Sequence, residues 1–243
     1  AAVSRRRIVI TGMGVVSPLG NSVTEMYPAL VAGRSGVDLI TKFDARTLPT
    51  RIAAEVKNFD LGHYVLAPQR WASAGPNTHF AMAAARQALD QAGLLDQARG
   101  DRSRFGLYLG TGEGEQDFHV VMSLVAESYS LETHQVDHHT FITRGLKRSQ
   151  SQKEYEQELH TTPAHLAEYF ALDGPNYNCL TSCASGAQAL GEAMEILRRG
   201  EADVMLAGGS HSMIHPLGVT GFCRLTAMST QNETPAKASR PFD

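Results

Sequence analysis

No run in the 243 residues approaches the ~20 consecutive apolar residues that a membrane-spanning helix requires. A secretory leader is not expected either, because Arg5-Arg6-Arg7 is followed by only a short apolar run that soon meets Gly12. Cysteine is scarce: Cys179, Cys183 and Cys223 are odd in number and form no C-x-x-C pair. That excludes a disulfide framework and points to a reducing cytoplasm. Charge of one sign is also missing. A formal balance of −3 gives no electrostatic reason to expect nucleic acid or an anionic membrane as a partner. No internal repeat and no low-complexity segment occurs. What remains, at 42% hydrophobic and 19% charged, is the composition of an ordinary globular protein. The length fits one large domain or two small ones.

Within that chain one stretch stands out. Tyr177 to Thr181 reads as a short strand. A helix follows, with an apolar stripe at Ala187, Leu190, Met194 and Leu197 and a clear stop at Arg198, Arg199 and Gly200. Between them stands Cys183, followed by the small residues Ala184, Ser185, Gly186 and Ala187. A cysteine there faces the unpaired N–H groups and the positive dipole end of the helix. That environment favours the thiolate, which is the nucleophilic form. A buried structural thiol is the other reading, and the stretch alone leaves both open.

The rest of the chain alternates. Arg7 to Thr11 predicts a buried strand. Gly12-Met13-Gly14-Val15-Val16-Ser17 then approximates a dinucleotide fingerprint, with serine in place of the third glycine. No second strand with an acidic end follows at the right distance, so no nicotinamide or flavin cofactor is expected. Helices are predicted at Asn21 to Ala32 and at Asn77 to Ala92. The second carries apolar positions at Phe80, Ala84, Ala88 and Leu89. Short extended pieces lie around 37–40 and 52–56. Phe105 to Gly110 predicts a strand, and Thr111-Gly112-Glu113-Gly114-Glu115 a bend whose glutamates would repel a phosphate.

The segment 116–160 is polar and reads as a surface excursion, helical over Ser149 to His160. His134 and His138 could lie four apart on one helix face, with Glu132 and Asp137 close by, but no cysteine and no obvious fourth ligand helps and no metal is expected. Pro163 to Ala171 predicts a helix, Asp203 to Ala207 a strand ended by Gly208-Gly209-Ser210, and Gly221 to Ala227 a mixed segment. Strands and helices in this order predict an α/β fold with a mainly parallel sheet.

Five pieces now align with one family. Thr11 to Gly20, Ser182-Cys183-Ala184-Ser185-Gly186, Arg199 to Gly209, Phe222 to Ser229 and Ser239-Arg240-Pro241-Phe242-Asp243 occur in the order of an elongating β-ketoacyl-acyl-carrier-protein synthase. The chain resembles the N-terminal half of such an enzyme. The resemblance implies a thiolase-like fold of αβαβα layers, with residues 1–243 supplying the first half and a polar insertion at about 116–160. It implies a homodimer paired through the strand before the nucleophile, with no cofactor. It implies that Cys183 takes an acyl group from a phosphopantetheine thioester of acyl carrier protein. A malonyl thioester of the carrier then loses carbon dioxide and condenses with that acyl group.

By the same resemblance, the backbone N–H of Cys183 is one of two oxyanion donors, each worth about 3 kcal/mol of barrier. The family's catalytic histidines, its lysine and the second donor lie beyond Asp243. The segment alone is therefore expected to be inactive in condensation. Where the family carries a basic run, Pro68 to Gly75 offers only Arg70. The rival implication is a non-catalytic ketosynthase-like partner subunit that shapes an acyl pocket, although silent partners of this kind replace the cysteine. The residues that bind the acyl substrate are not identified by the resemblance.

Overall fold

A computed structural model describes residues 6–95, 101–112, 114 and 117–241. Its centre is a parallel sheet of three strands: β3 (Phe105–Thr111) lies between β6 (Asn176–Cys179) and β7 (Val204–Ser210). The register aligns Gly110 with Cys179 on one side and with Gly209 on the other. Parallel neighbours need crossovers, and these are helices. The crossover from β6 to β7 is α7 (Ser185–Arg199). Helices α2 (Pro76–Gln91) and α6 (Thr161–Phe170) pack on the opposite face of the sheet. There Leu107 and Leu109 of β3 meet Met82, Leu166, Phe170 and Trp71 in the main core. This is the α/β parallel-sheet arrangement that the sequence predicts.

The small antiparallel pair β1 (Val37–Leu39) and β2 (Ile52–Ala54) follows α1 (Val23–Val31), whose N-cap Ser22 accepts a hydrogen bond from the Glu25 amide. Gly93 and Gly200, both at positive φ, close α2 and α7 where the glycine signals place the ends. At the far end of α7, Arg104 donates to the Gly200 carbonyl, and Arg6 donates to the Leu197 carbonyl, which also accepts from the Gly200 amide. Both arginines also pair with Asp203.

The predicted strand Arg7–Thr11 is not formed. A strand needs a hydrogen-bonded neighbour, and among the described residues this segment pairs with none. It runs along α2 instead. Gln91 Oε1 accepts from the Met13 amide at 2.7 Å, and Gln87 Nε2 donates to the Val15 carbonyl at 3.1 Å. Val9 and Ile10 stay exposed, Ile10 at 78%. Gly12 and Gly14 press against the carbonyls of Ala88 and Ala84, leaving no room for a Cβ at either glycine. The paired glycines serve helix packing, and the first helix begins only at Val23. This also explains why Ala84 and Ala88 lie outside the main core.

The segment 116–160 holds more structure than its polarity suggests. It contains α3 (Phe118–Ser128), a two-residue hairpin of β4 (Tyr129–Ser130) and β5 (Gln135–Val136), α4 (His138–Arg148) and α5 (Ser151–Tyr155). Asp117 and Asp137 cap α3 and α4 with their carboxylates. Lys153 bonds Asp117 and holds its carboxyl below the usual range. Arg148 and Arg144 do the same to Glu127, tying α4 to α3. The helix expected over Ser149–His160 is thus only α5, and the second half of that stretch turns. A last helix, α8 (Pro216–Arg224), begins five residues earlier than the mixed segment read from the sequence and takes His215 as its cap.

Candidate functional site

Cys183 sits where the chain passes from β6 to α7, in a short 3-10 turn over Ser182–Ala184. Three local bonds shape the turn. Ser185 Oγ donates to the Ser182 carbonyl at 2.7 Å, the Ala184 amide donates to the Thr181 carbonyl at 3.1 Å, and Thr181 Oγ1 donates to Gln188 Oε1 at 2.8 Å. Ser182, immediately before the cysteine, has φ of 52°. A non-glycine residue in the left-handed region costs about 1–3 kcal/mol and persists only where its surroundings enforce it. The result is an exposed Cys183 side chain at the head of a 15-residue helix.

The other two cysteines are placed differently. Cys179 is buried at the end of β6, with Sγ 3.4 Å from the Ser185 carbonyl oxygen. Burial, and then the charge of Glu192, push its thiol above the ordinary range. Cys223 is half-buried on α8.

The head of α7 is held by backbone contact with the strand ends. A Cβ at Gly110 would lie 2.5 Å from the Ser185 carbonyl carbon, and one at Gly209 would lie 3.0 Å from Gly186 Cα. The sheet-facing residues of α7 are correspondingly small: Ser185, Ala189 and Ala193, then Ile196. This corrects the expected stripe. Ala187 and Leu190 point away from the sheet, Leu190 at 52% exposure, and Met194 and Leu197 are only half-buried.

The C-terminal ends of all three strands meet the N-terminal ends of α2 and α6 here, the place where open parallel sheets bind their ligands. Ser210 Oγ donates to the Asn77 carbonyl at 2.6 Å, Asn77 Nδ2 donates to Thr162 Oγ1 at 3.3 Å, and Thr78 and Thr162 share a bond of 2.7 Å. Thr111 Oγ1 donates to the Leu159 carbonyl at 3.2 Å. Buried Asn77, Thr78, Thr111 and Thr162 therefore tie the ends of β3 and β7 to the heads of α2 and α6. None of these residues carries a motif. Only their pairing in space makes them visible.

His134 and His138 do not share a helix face. His134 sits in the β4–β5 turn at φ 55°, with Nδ1 3.1 Å from Tyr129 Oη, and His138 opens α4. Among the described residues no group of three or more histidine, cysteine, aspartate or glutamate side chains could hold a metal ion. Arg70, the one basic group of the 68–75 stretch, is paired with Glu168. Of the bend 111–115, residues 113 and 115 lie outside the described residues, as do Phe242 and Asp243 of the closing motif. A cavity of about 570 Å³ lies between the β1–β2 pair and the 226–241 segment, without contact to Cys183.

Known proteins resemble this chain along nearly its whole length. The 3-oxoacyl-[acyl-carrier-protein] synthase 2 of Coxiella burnetii is 37% identical over 239 residues, which cover 98% of this chain and 54% of that protein. The chloroplastic 3-oxoacyl-[acyl-carrier-protein] synthase I of Arabidopsis thaliana is 33% identical, covering 98% of this chain and 48% of that protein. The chain thus spans about half the length of the curated relatives it matches. A crystal structure of a β-ketoacyl synthase from Burkholderia phymatum superposes with a TM-score of 0.78 at 30% identity, over 98% of this chain and 54% of that one. A type II PKS ketosynthase, solved in complex with its acyl-carrier protein, superposes at 0.70 with 27% identity, over 94% and 51% of the two chains. The fold is therefore thiolase-like, as the motifs imply. Residues 5–243 match the description "Beta-ketoacyl synthase, N-terminal domain", and the chain belongs to the β-ketoacyl synthase family.

Proposed function

We propose that the protein is a β-ketoacyl-[acyl-carrier-protein] synthase, an acyltransferase in which Cys183 is the acyl acceptor. The observation that carries this reading is the exposed Cys183 on a strained turn between β6 and α7, among family motifs in family order. In the first step the Cys183 thiolate attacks the carbonyl of an acyl thioester on the carrier's phosphopantetheine. A new C–S bond forms, the carrier's C–S bond breaks, and the carrier thiolate leaves to take up a proton. In the second step a malonyl thioester loses carbon dioxide. Its carbanion attacks the acyl-cysteine carbonyl, forming a C–C bond and returning the Cys183 thiolate.

The Cys183 N–H serves as one oxyanion donor in this scheme. Groups outside residues 1–243 supply the rest, so this segment alone is inactive in condensation. The reading includes a homodimer joined along β6, whose outer edge is unpaired among the described residues; Tyr177 on the strand and Leu180 just after it are exposed. It also includes a cytoplasmic setting in fatty acid or polyketide synthesis. No helix among the described residues is long and apolar enough to cross a membrane.

The test is differential alkylation of the full-length protein by iodoacetamide, read by peptide mass spectrometry. Cys183 is expected to react faster than Cys179 and Cys223, and acyl-carrier protein thioesters to leave an acyl mass on the Cys183 peptide. Equal rates at the three thiols, with no acyl mass on Cys183, would remove the reading.

A further inference from the structure

His211 is the first residue after β7 and belongs to none of the family motifs used above. Its side chain can be placed on one side of the sheet by two independent routes. Gly209 faces α7, since a Cβ there would touch Gly186. Alternation along an extended chain then turns His211 to the same face. Gly110 also faces α7, against Ser185, so Gly112 two residues on does too. The contact agrees with both. A Cβ on Gly112 would overlap His211 Nε2 and lie 2.6 Å from its Cδ2 and Cε1. The imidazole therefore leans from the end of β7 across the end of the central strand. That is the direction of β6, one strand spacing further on at ~4.8 Å, whose chain continues into Cys183.

Two features separate this histidine from a packing residue. It is exposed, while Gly112 beneath it is buried. It also has no hydrogen bond or ion pair among the described residues, so nothing in the rim ties the ring down. With no side chain on Gly112, the ring supplies the bulk at that point.

We propose that His211 is a specificity-determining residue: its ring walls the space in front of Cys183 and limits the bulk of the acyl group that the sulfur can carry. This rests on the reading of Cys183 as the acyl acceptor. The position asks for bulk rather than for a particular polar atom. Acyl groups that are narrow next to the thioester carbonyl pass, and groups branched or aromatic at that point are held back.

The experiment uses the full-length protein and its His211→Ala and His211→Phe variants. Each is loaded with butyryl-, isovaleryl- and benzoyl-carrier protein, and acylation of Cys183 is followed by intact mass. His211→Ala should raise loading of the isovaleryl and benzoyl groups relative to butyryl by about tenfold. His211→Phe should keep the wild-type ranking, because it keeps the bulk. An unaltered ranking in His211→Ala, with an unaltered melting curve, overturns the proposal. So does a His211→Phe protein that behaves like His211→Ala, since the ring's hydrogen bonding would then be the determinant. Failure of Cys183 to accept any of the three groups in the wild type overturns the acyl-acceptor reading itself, and this proposal with it. Acylation with an unchanged ranking removes only the role of His211.

Discussion

The two faces of the central sheet are built in opposite ways. On one, Leu107 and Leu109 interlock with Met82, Leu166, Phe170 and Trp71 from α2, α6 and the turn before α2. On the other, Gly110 and Gly209 meet Ser185 and Gly186 with almost no side chain between the backbones. Large side chains give the first face its buried apolar area, at about 1.5–3 kcal/mol for each fully buried residue. The second face gives up that area for proximity, and the proximity sets where Cys183 stands. Stability therefore resides mainly on one side of β3 and positional precision on the other.

The largest effect should come from the first face. Leu107→Ala leaves a cavity at a site with no exposure and should cost about 2–5 kcal/mol in urea unfolding. Iodoacetamide labelling of Cys183 in the folded protein should keep its rate. A large fall in that rate would mean that the two faces are not separable. The outward row of α7 makes a third surface. If the remainder of the full-length protein covers it, Leu190→Ser should cost about 1.5–3 kcal/mol there. A change within about 0.5 kcal/mol would mean that Leu190 stays in water as it does here.

Gly110→Ala sharpens the contrast. Overpacking should cost only about 1–3 kcal/mol. Yet the added methyl presses on Ser185 and Gly186, so acylation of Cys183 should fall more than tenfold, by the sensitivity of reacting geometry to ~1 Å displacements. Labelling and acylation at the wild-type rate would contradict the positional role of the glycine face.

The smallest effect is electrostatic. Arg104, by hydrogen bond and by charge, and then Arg6, hold the exposed Asp203 carboxyl below its usual range. A carboxyl lowered in the folded state stabilises above its unfolded pKa of ~3.9, and loses that contribution as pH falls through the folded value. Acid unfolding curves of wild type and Asp203→Asn should therefore differ near neutrality and converge at low pH. Curves that diverge as pH falls would give the pair the wrong sign.

Features that depend on the chain alone were legible in the sequence. The end of α7 at Gly200 needs only a residue that tolerates positive φ, and the strand–cysteine–helix order needs only local pattern. Features that depend on a partner were not. Ile8 to Ile10 look like a strand, but a strand forms only beside another. The stripe Ala187, Leu190, Met194 and Leu197 looks like the buried face of α7. The sheet selected Ser185, Ala189 and Ala193 because they are small, and smallness leaves little hydrophobic signal. The helix α4 hid behind its charges and α3 behind the polar residues that flank it, although Asp117 and Asp137 mark their starts. His211 had no sequence signal at all, because its meaning comes from Gly112, just past the end of a different strand.

The position of β3 in the sheet also matters while the chain is being made. Its last residue, Thr111, leaves the ribosome well before β6 begins at Asn176, and β7 follows only at Val204. At ~5–20 residues per second, both edges of the central strand wait several seconds for their partners. Most of the first wait is the translation time of residues 116–160. Each residue added to that segment lengthens the period in which Leu107 and Leu109 are exposed beside unpaired edges, which is when a nascent chain is most prone to pair with another copy or to need a chaperone. The 116–160 segment thus accounts for much of the delay before the sheet can assemble, whatever it does in the finished protein.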